Sequence, residues 1–279
     1  IEAQVGVDLF YNITPSLRTN LTVNTDFAQT QVDARQTNLT RFSLLFPEQR
    51  DFFLDGALFF NFETGGSGET LIPFQSRRIG LGKDNTPQRI NFGGKLTGQA
   101  GAFDIGVLQV QTEDETQDGS GGSLGENFSV VRIKRRMFRE SHLGALYTLR
   151  NTRGENSESL QTMGMDFRLA TSTFRDSDNL GATGYFLYTT NPLDTGGKSS
   201  AYGAELSYPN DPLSLQFGYQ EIQENYDAAI GFTRRTGFRN INQDITFAPR
   251  PRQHPWIRVF NFGAATNWFL DPVDNRLLT

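Results

Sequence analysis

The side chains best placed to act together lie in and around one aromatic-rich stretch. Arg41, Glu48, Arg50, Asp51, Asp55, Arg77 and Arg78 bracket a run, Leu44 to Phe74, that holds seven Phe, paired acids and a glycine-rich tail. Charges taken out of water must be paired, so such a set would pin a folded-in element against a wall; charged rings can also line a constriction and tune what passes it. The pinning role is the plainer reading. A second polar set, Arg18, Asn20, Asn24 and Asp26, occupies alternate positions, and Asp166, Arg168, Asn240, Asn242 and Asp244 recur in the same manner. These mixed hydrogen-bonding groups suit a hydrated interior.

The residues argue against most catalytic chemistry. The chain of 279 residues has two histidines, His142 and His254, far apart and without ligand-spaced partners, and no cysteine. That leaves no basis for a His-based metal site, a triad or a thiol nucleophile. No G-x-S-x-G stands at a strand-to-helix elbow. Gly119, Gly121, Gly122 and Gly125 resemble a phosphate loop by count alone, since no helix N-terminus follows. The acids beside them, Glu113, Asp114, Glu115 and Asp118, could hold Ca²⁺ loosely, but their spacing is not that of an EF-hand and a solvated loop explains them better. No catalytic, cofactor-binding or metal-ligating residue is therefore assigned. A net charge of −5 argues against nucleic acid as a partner. Only Lys83, Lys95, Lys134 and Lys198 accompany 22 Arg; Arg suits fixed, hydrogen-bonded ion pairs, although genomic base composition explains the bias equally well.

The elements that must carry these residues are strands. From Leu17 to Phe27, Leu17, Leu21, Val23 and Phe27 share one parity with two threonines, while Arg18, Asn20, Thr22, Asn24 and Asp26 share the other. Successive strand residues point to opposite faces, so this strand has an apolar side and a polar side. The pattern recurs in Leu213 to Gln220, Thr162 to Leu169, Ser199 to Tyr208 and His142 to Arg150; the runs Asn127 to Arg136 and Leu180 to Thr189 mix the two faces. No convincing 3.6-residue period exists. Mean hydropathy is −0.46, which does not exclude a membrane barrel, because its apolar residues are diluted by those of the lumen.

Turn signals divide the chain into strands near 4–13, 17–27, 36–46, 74–81, 88–98, 103–111, 127–136, 142–150, 159–169, 180–189, 199–208, 213–222, 237–248 and 256–268. Short connections alternate with longer polar ones, as in outer-membrane barrels; the link 170–179 is long for the short side. A large soluble sheet or sandwich is the competing fold. Residues 47–73 cannot be one strand, and consistent parity makes them leave and re-enter at the short-turn end, as a plug-like element or a periplasmic excursion. Trp256 and Trp268, with Tyr and Phe near strand ends, would form interface girdles.

Val7-Asp8-Leu9-Phe10-Tyr11, Ile13 to Leu17, Thr22 to Gln29, Asn38 to Phe42, Phe46 to Gly56 and Ser76 to Gly80 together resemble the DUF5916 family. The likeness is dense over the first eighty residues and thins to Gly94 to Gly98 and Gly231 to Thr236. It implies a bacterial outer-membrane β-barrel of unsettled activity. Members commonly carry an N-terminal domain resembling family 9 carbohydrate-binding modules, so further sequence is expected at both ends.

The expected fold is thus an all-β, antiparallel transmembrane β-barrel with about 14 strands in this chain, part of a larger barrel, forming one domain over 1–279 with an irregular in-folded segment at 47–73. The expected function is non-enzymatic transport or surface binding of polar ligands, glycans among them, in the bacterial outer membrane, without a cofactor. The partners expected are outer-membrane lipid, a glycan ligand and other outer-membrane or periplasmic subunits. An alternative is a structural anchor subunit of a larger outer-membrane complex, and a third reading is a surface hydrolase.

Overall fold

The computed structural model describes residues 6–25, 42–67, 70–81, 88–114, 125–152, 159–190, 196–251 and 256–278. The expectations for Asp26, Arg41, Glu115, Asp118, Gly119, Gly121, Gly122 and His254 lie outside them. In chain order the strands are β1 (Val7–Thr14), β2 (Leu17–Thr25), β3 (Leu71–Ile72), β4 (Ile90–Ala100), β5 (Phe103–Thr112), β6 (Glu126–Met137), β7 (Ser141–Thr152), β8 (Ser159–Phe174), β9 (Asp178–Thr190), β10 (Ser200–Pro209), β11 (Leu213–Ile222), β12 (Phe232–Thr233), β13 (Phe238–Phe247) and β14 (Phe262–Leu270). One short helix, α1, covers Asp51–Leu54.

Twelve strands form one antiparallel sheet of sequential neighbours, with β3 and β12 pairing separately. Among the described residues β1 pairs only with β2, and β14 pairs with β13 and through a single bridge with Leu277. Among the described residues the sheet is open, and no closed barrel is found. No helix is long and apolar enough to cross a membrane among the described residues, which says nothing of strands.

Two of the fourteen expected strands are corrected. Residues 36–41 lie outside the described residues and 42–46 form no strand. At 74–81 the chain makes a 3-10 turn, Ser76–Arg78, and a bridge from Phe74 to Ile230. Removing this strand pair moves the excursion: it leaves after β2 and re-enters at β4, at the end of the longer connections rather than the short-turn end. The link 170–179 also shrinks, because β8 and β9 extend past their neighbours and leave a turn at 175–177.

Register makes the two faces explicit. Leu96, Val107, Val131, Tyr147, Met163 and Tyr188 are cross-strand neighbours in one row, and these rows form a bare face. Leu9, Met165, Phe186, Phe217 and Trp268 belong to it and are exposed. On the opposite face, Thr97, Gly106, Arg132, Leu146, Gly164, Leu187, Ala201, Ile222 and Phe238 form a comparable row. The described residues between 50 and 79 supply the partners of that face. Phe52, Phe53, Phe60 and Ile79 pack there with Leu108, Val110, Phe128, Val130 and Leu146, and Leu71 joins Leu187, Ala201 and Phe238. The core is therefore the seam between segment and sheet.

Candidate functional site

Among the described residues, two clasps and a fully buried ion pair are the principal polar fastenings of the segment. In the first clasp, Arg50 donates to both Glu48 carboxylate oxygens at 2.8 Å and to the carbonyls of Ser76 and Ile79 at 2.7 Å. The Ser76 hydroxyl donates to Glu48 at 2.7 Å, and the guanidinium lies 4.2 Å from the Phe53 ring centroid. This bidentate arrangement ties the start of the segment to its end, a use for which Arg is better shaped than Lys. In the second, Lys95 of β4 donates to the carbonyls of Phe52 and Asp55 at the end of α1. Asn20 of β2 donates to the Asp55 carboxylate at 2.6 Å, and Arg18 lies 3.4 Å away. Gly56, at φ 69°, turns the chain there, where an added Cβ would meet Thr97.

The ion pair lies deeper. Arg132 of β6 and Asp166 of β8 meet through two hydrogen bonds, 2.5 and 2.8 Å, with both side chains 0% exposed. They reach across β7 because Gly144 stands between them; an added Cβ there would lie 2.3 Å from Arg132 Nη1 and 2.5 Å from Asp166 Oδ1. The segment completes the pair. Asn61 accepts from Arg132 Nε at 3.1 Å, and the Glu63 amide donates to Asp166 at 2.9 Å. His142 Nε2 lies 3.7 Å from Asp166.

The cluster expected from sequence is thus divided. Glu48 and Arg50 form one clasp, and Asp55 meets Arg18 and Asn20 in the other. Arg78 lies near Arg150, Asp227 and Glu126, where the segment meets 223–237. Asp51 is exposed at the first turn of α1, and Arg77 sits in the 3-10 turn. Asn24 is exposed at φ 51°, and Arg168 pairs with Glu63 at 3.7 Å. Arg132 was not among the expected site residues, nor was Lys95. Phe128 and Val130 share a face with Arg132 because the segment's phenylalanines cover it, so β6 is apolar on both sides and its parity signal is erased. The scarcity of Lys was the available hint for Lys95.

The matched portion of the chain is the one that carries the segment. The model of a family described as a domain of unknown function, DUF5916, matches residues 1–97. Residues 1–97, about a third of the chain, are similar to that family. The DUF5916 match covers β1, β2, both clasps and β4 as far as Thr97, while Arg132 and Asp166 lie beyond it. No curated protein and no solved structure matches the chain.

The first clasp should respond to acid. Burial pushes the Glu48 carboxyl up, but the Arg50 guanidinium, the Arg50 amide and the Ser76 hydroxyl outweigh it and hold the group below its ordinary value of 4.5. A carboxyl depressed on folding contributes stability that is fully present above its unfolded pKa and is lost as pH falls through the folded one. Proteolysis of residues 44–80 should therefore accelerate as pH drops below about 4.5, and Glu48→Gln should remove most of that dependence. Identical acid dependence in the variant would place the sensitivity elsewhere.

Proposed function

We propose that the chain forms the wall of a bacterial outer-membrane β-barrel, with the bare face against lipid, the covered face lining a hydrated lumen, and residues 47–73 as a plug within it. Its role on this reading is transport or binding of polar ligands, glycans among them. The observation that carries the reading is the inversion of the faces: apolar side chains stay exposed row after row while Arg132, Asp166 and Lys95 are buried. A soluble sheet hides its apolar face; a lipid-facing sheet does the reverse. Aromatic side chains near both ends of the bare face support it. Phe186, Tyr202 and Tyr219 stack near the longer connections, and Phe174 meets Tyr208 at the other end, as interface girdles would. Lipid does not tolerate a free sheet edge, so β1 and β14 would each need a further strand, from the same protein or another.

A second reading, a structural anchor in a larger complex, is favoured by how fully the segment occupies the covered face of β4–β7.

The absence of Cys makes single-site spin labelling clean. With labels at Leu213, Leu215 and Phe217 and at Ser214, Gln216 and Gly218 in proteoliposomes, collision with oxygen should be high at the first three. Collision with a water-soluble nickel chelate should be high at the second three. Labels showing no two-residue alternation, or chelate access at all six, would end the membrane reading.

A further inference from the structure

Beside the segment, the covered face holds a recess that neither the clasps nor the ion pair uses. It encloses about 200 Å³ between Thr64, Gly65, Gly66 and Thr70 on one side and β9, β10, β11, β13 and β14 on the other. Two glycines hollow it out. An added Cβ at Gly203 would lie 2.8 Å from the Tyr185 ring, and one at Gly218 would lie 2.2 Å from Asn242 Oδ1. Tyr185 and Asn242 therefore lie over neighbouring strands instead of standing up into the space.

The lining is rich in groups that both donate and accept. Tyr185, Gln220 and Asn240 fall in one cross-strand row, and Glu205, Asn242 and Asn267 border the next. Gln220 and Tyr185 are already fixed: the buried Gln220 amide donates to the buried Tyr185 hydroxyl at 2.7 Å. Asn240 donates to Asn267. The Asn242 amide has no hydrogen-bond partner among the described residues and remains available to a ligand. Glu205 contributes the lining's one negative charge and already accepts the Gly66 amide at 3.0 Å; no Lys or Arg lines the recess.

We infer that this recess is a binding site for a neutral polyhydroxylated ligand, one sugar ring of a glycan at a time. Amide side chains match hydroxyls because each group can donate and accept at once. A lining without cations offers nothing to a carboxylate or phosphate, which would call for Arg. The volume is below the roughly 300–1,000 Å³ of sites for drug-sized ligands, which limits the enclosed part to a single ring. Aromatic walls from Tyr185 and Phe269 supply an apolar surface beside the polar groups.

The inference rests on the covered face being a hydrated lumen. The test is calorimetric titration of the full chain, folded in detergent micelles, with maltohexaose and cellohexaose as neutral probes, oligogalacturonate as the anionic probe and chitosan oligomers as the cationic one. A neutral oligosaccharide should bind, and Asn242→Leu should weaken it roughly tenfold, the effect of losing about one well-made hydrogen bond pair. Asn267→Leu, on the exposed edge strand, gives a second variant should the first misfold, and Gln243→Leu, on the other face of β13, should bind as the parent does. Absence of neutral binding, tighter binding of a charged probe, or indifference to both Asn variants would overturn the site. If spin labels on β11 still alternate between oxygen and chelate access, the lumen reading survives that result; if they do not, both fall.

Discussion

Arg132→Met should lower the stability of the folded chain by about 3–5 kcal/mol, the range for breaking one partner out of a buried pair. The cause is less the lost attraction than the charge left behind. Asp166 would keep the Glu63 amide and the distant His142, but it would lose both guanidinium bonds in a place with no exposure. The Asn61 carbonyl, which accepts from Arg132 Nε, would lose that donor as well. The double variant Arg132→Met, Asp166→Leu should recover much of the loss, because replacing a whole buried pair by apolar groups is often neutral or better. Gly144→Ala should resemble the single variant, since its methyl would sit between the two charges. Denaturant midpoints for the four proteins in one detergent decide the matter. A loss below about 1 kcal/mol for Arg132→Met, the worth of an exposed surface pair, would mean that water reaches the pair and that the seam is looser than described.

In a barrel closed by the further strands that β1 and β14 would need, deleting residues 47–73 should change conductance on the order of tenfold in planar bilayers, if an irregular segment inside the barrel is what obstructs it. The undeleted barrel should give rare, small steps, because α1 and the phenylalanines after it occupy the covered face of β4–β7. The deletion removes both clasps and leaves that face bare. Retention of the bilayer-facing alternation on β11 would certify that the deleted protein still inserts. An inserted deletion variant with no open steps would favour the anchor over transport.

Much of the sheet was legible because half-buried strands announce themselves by parity. β2, β8, β10 and β11 each keep one polar and one apolar side over their length. β6 and β9 did not, and the segment is the reason: it supplies apolar partners to Phe128, Val130 and Leu187 on the face that should have read as polar. The segment itself has neither a period of two nor one of 3.6, so its Phe content signalled a cluster without indicating where it docks. Counting Phe74 to Leu81 as a strand then carried the excursion to the wrong end. Asp166 was legible as an inward polar residue, whereas its pairing with Arg132 depends on the register of three strands and on a glycine in the middle one. The recess was half visible: Asn240 and Asn242 stood out by alternation, but the glycines opposite them acquire meaning only when β10, β11 and β13 are side by side.

The short pair of β3 with β12 has a bearing on when the segment becomes fixed. Phe232 meets Ile72, and the Arg234 amide donates to the Thr70 carbonyl at 2.9 Å, joining parts of the chain about 160 residues apart in sequence. Contacts so remote form late, after the intervening chain has already been ordered by hairpins between neighbours. The outer end of the segment is accordingly expected to seat after those hairpins. In reverse, loosening 223–237 would free its outer end while the hairpins of the sheet stay paired, and the segment would then be held by the two clasps, by its bonds to Arg132 and Asp166 and by the phenylalanine seam against β4–β7.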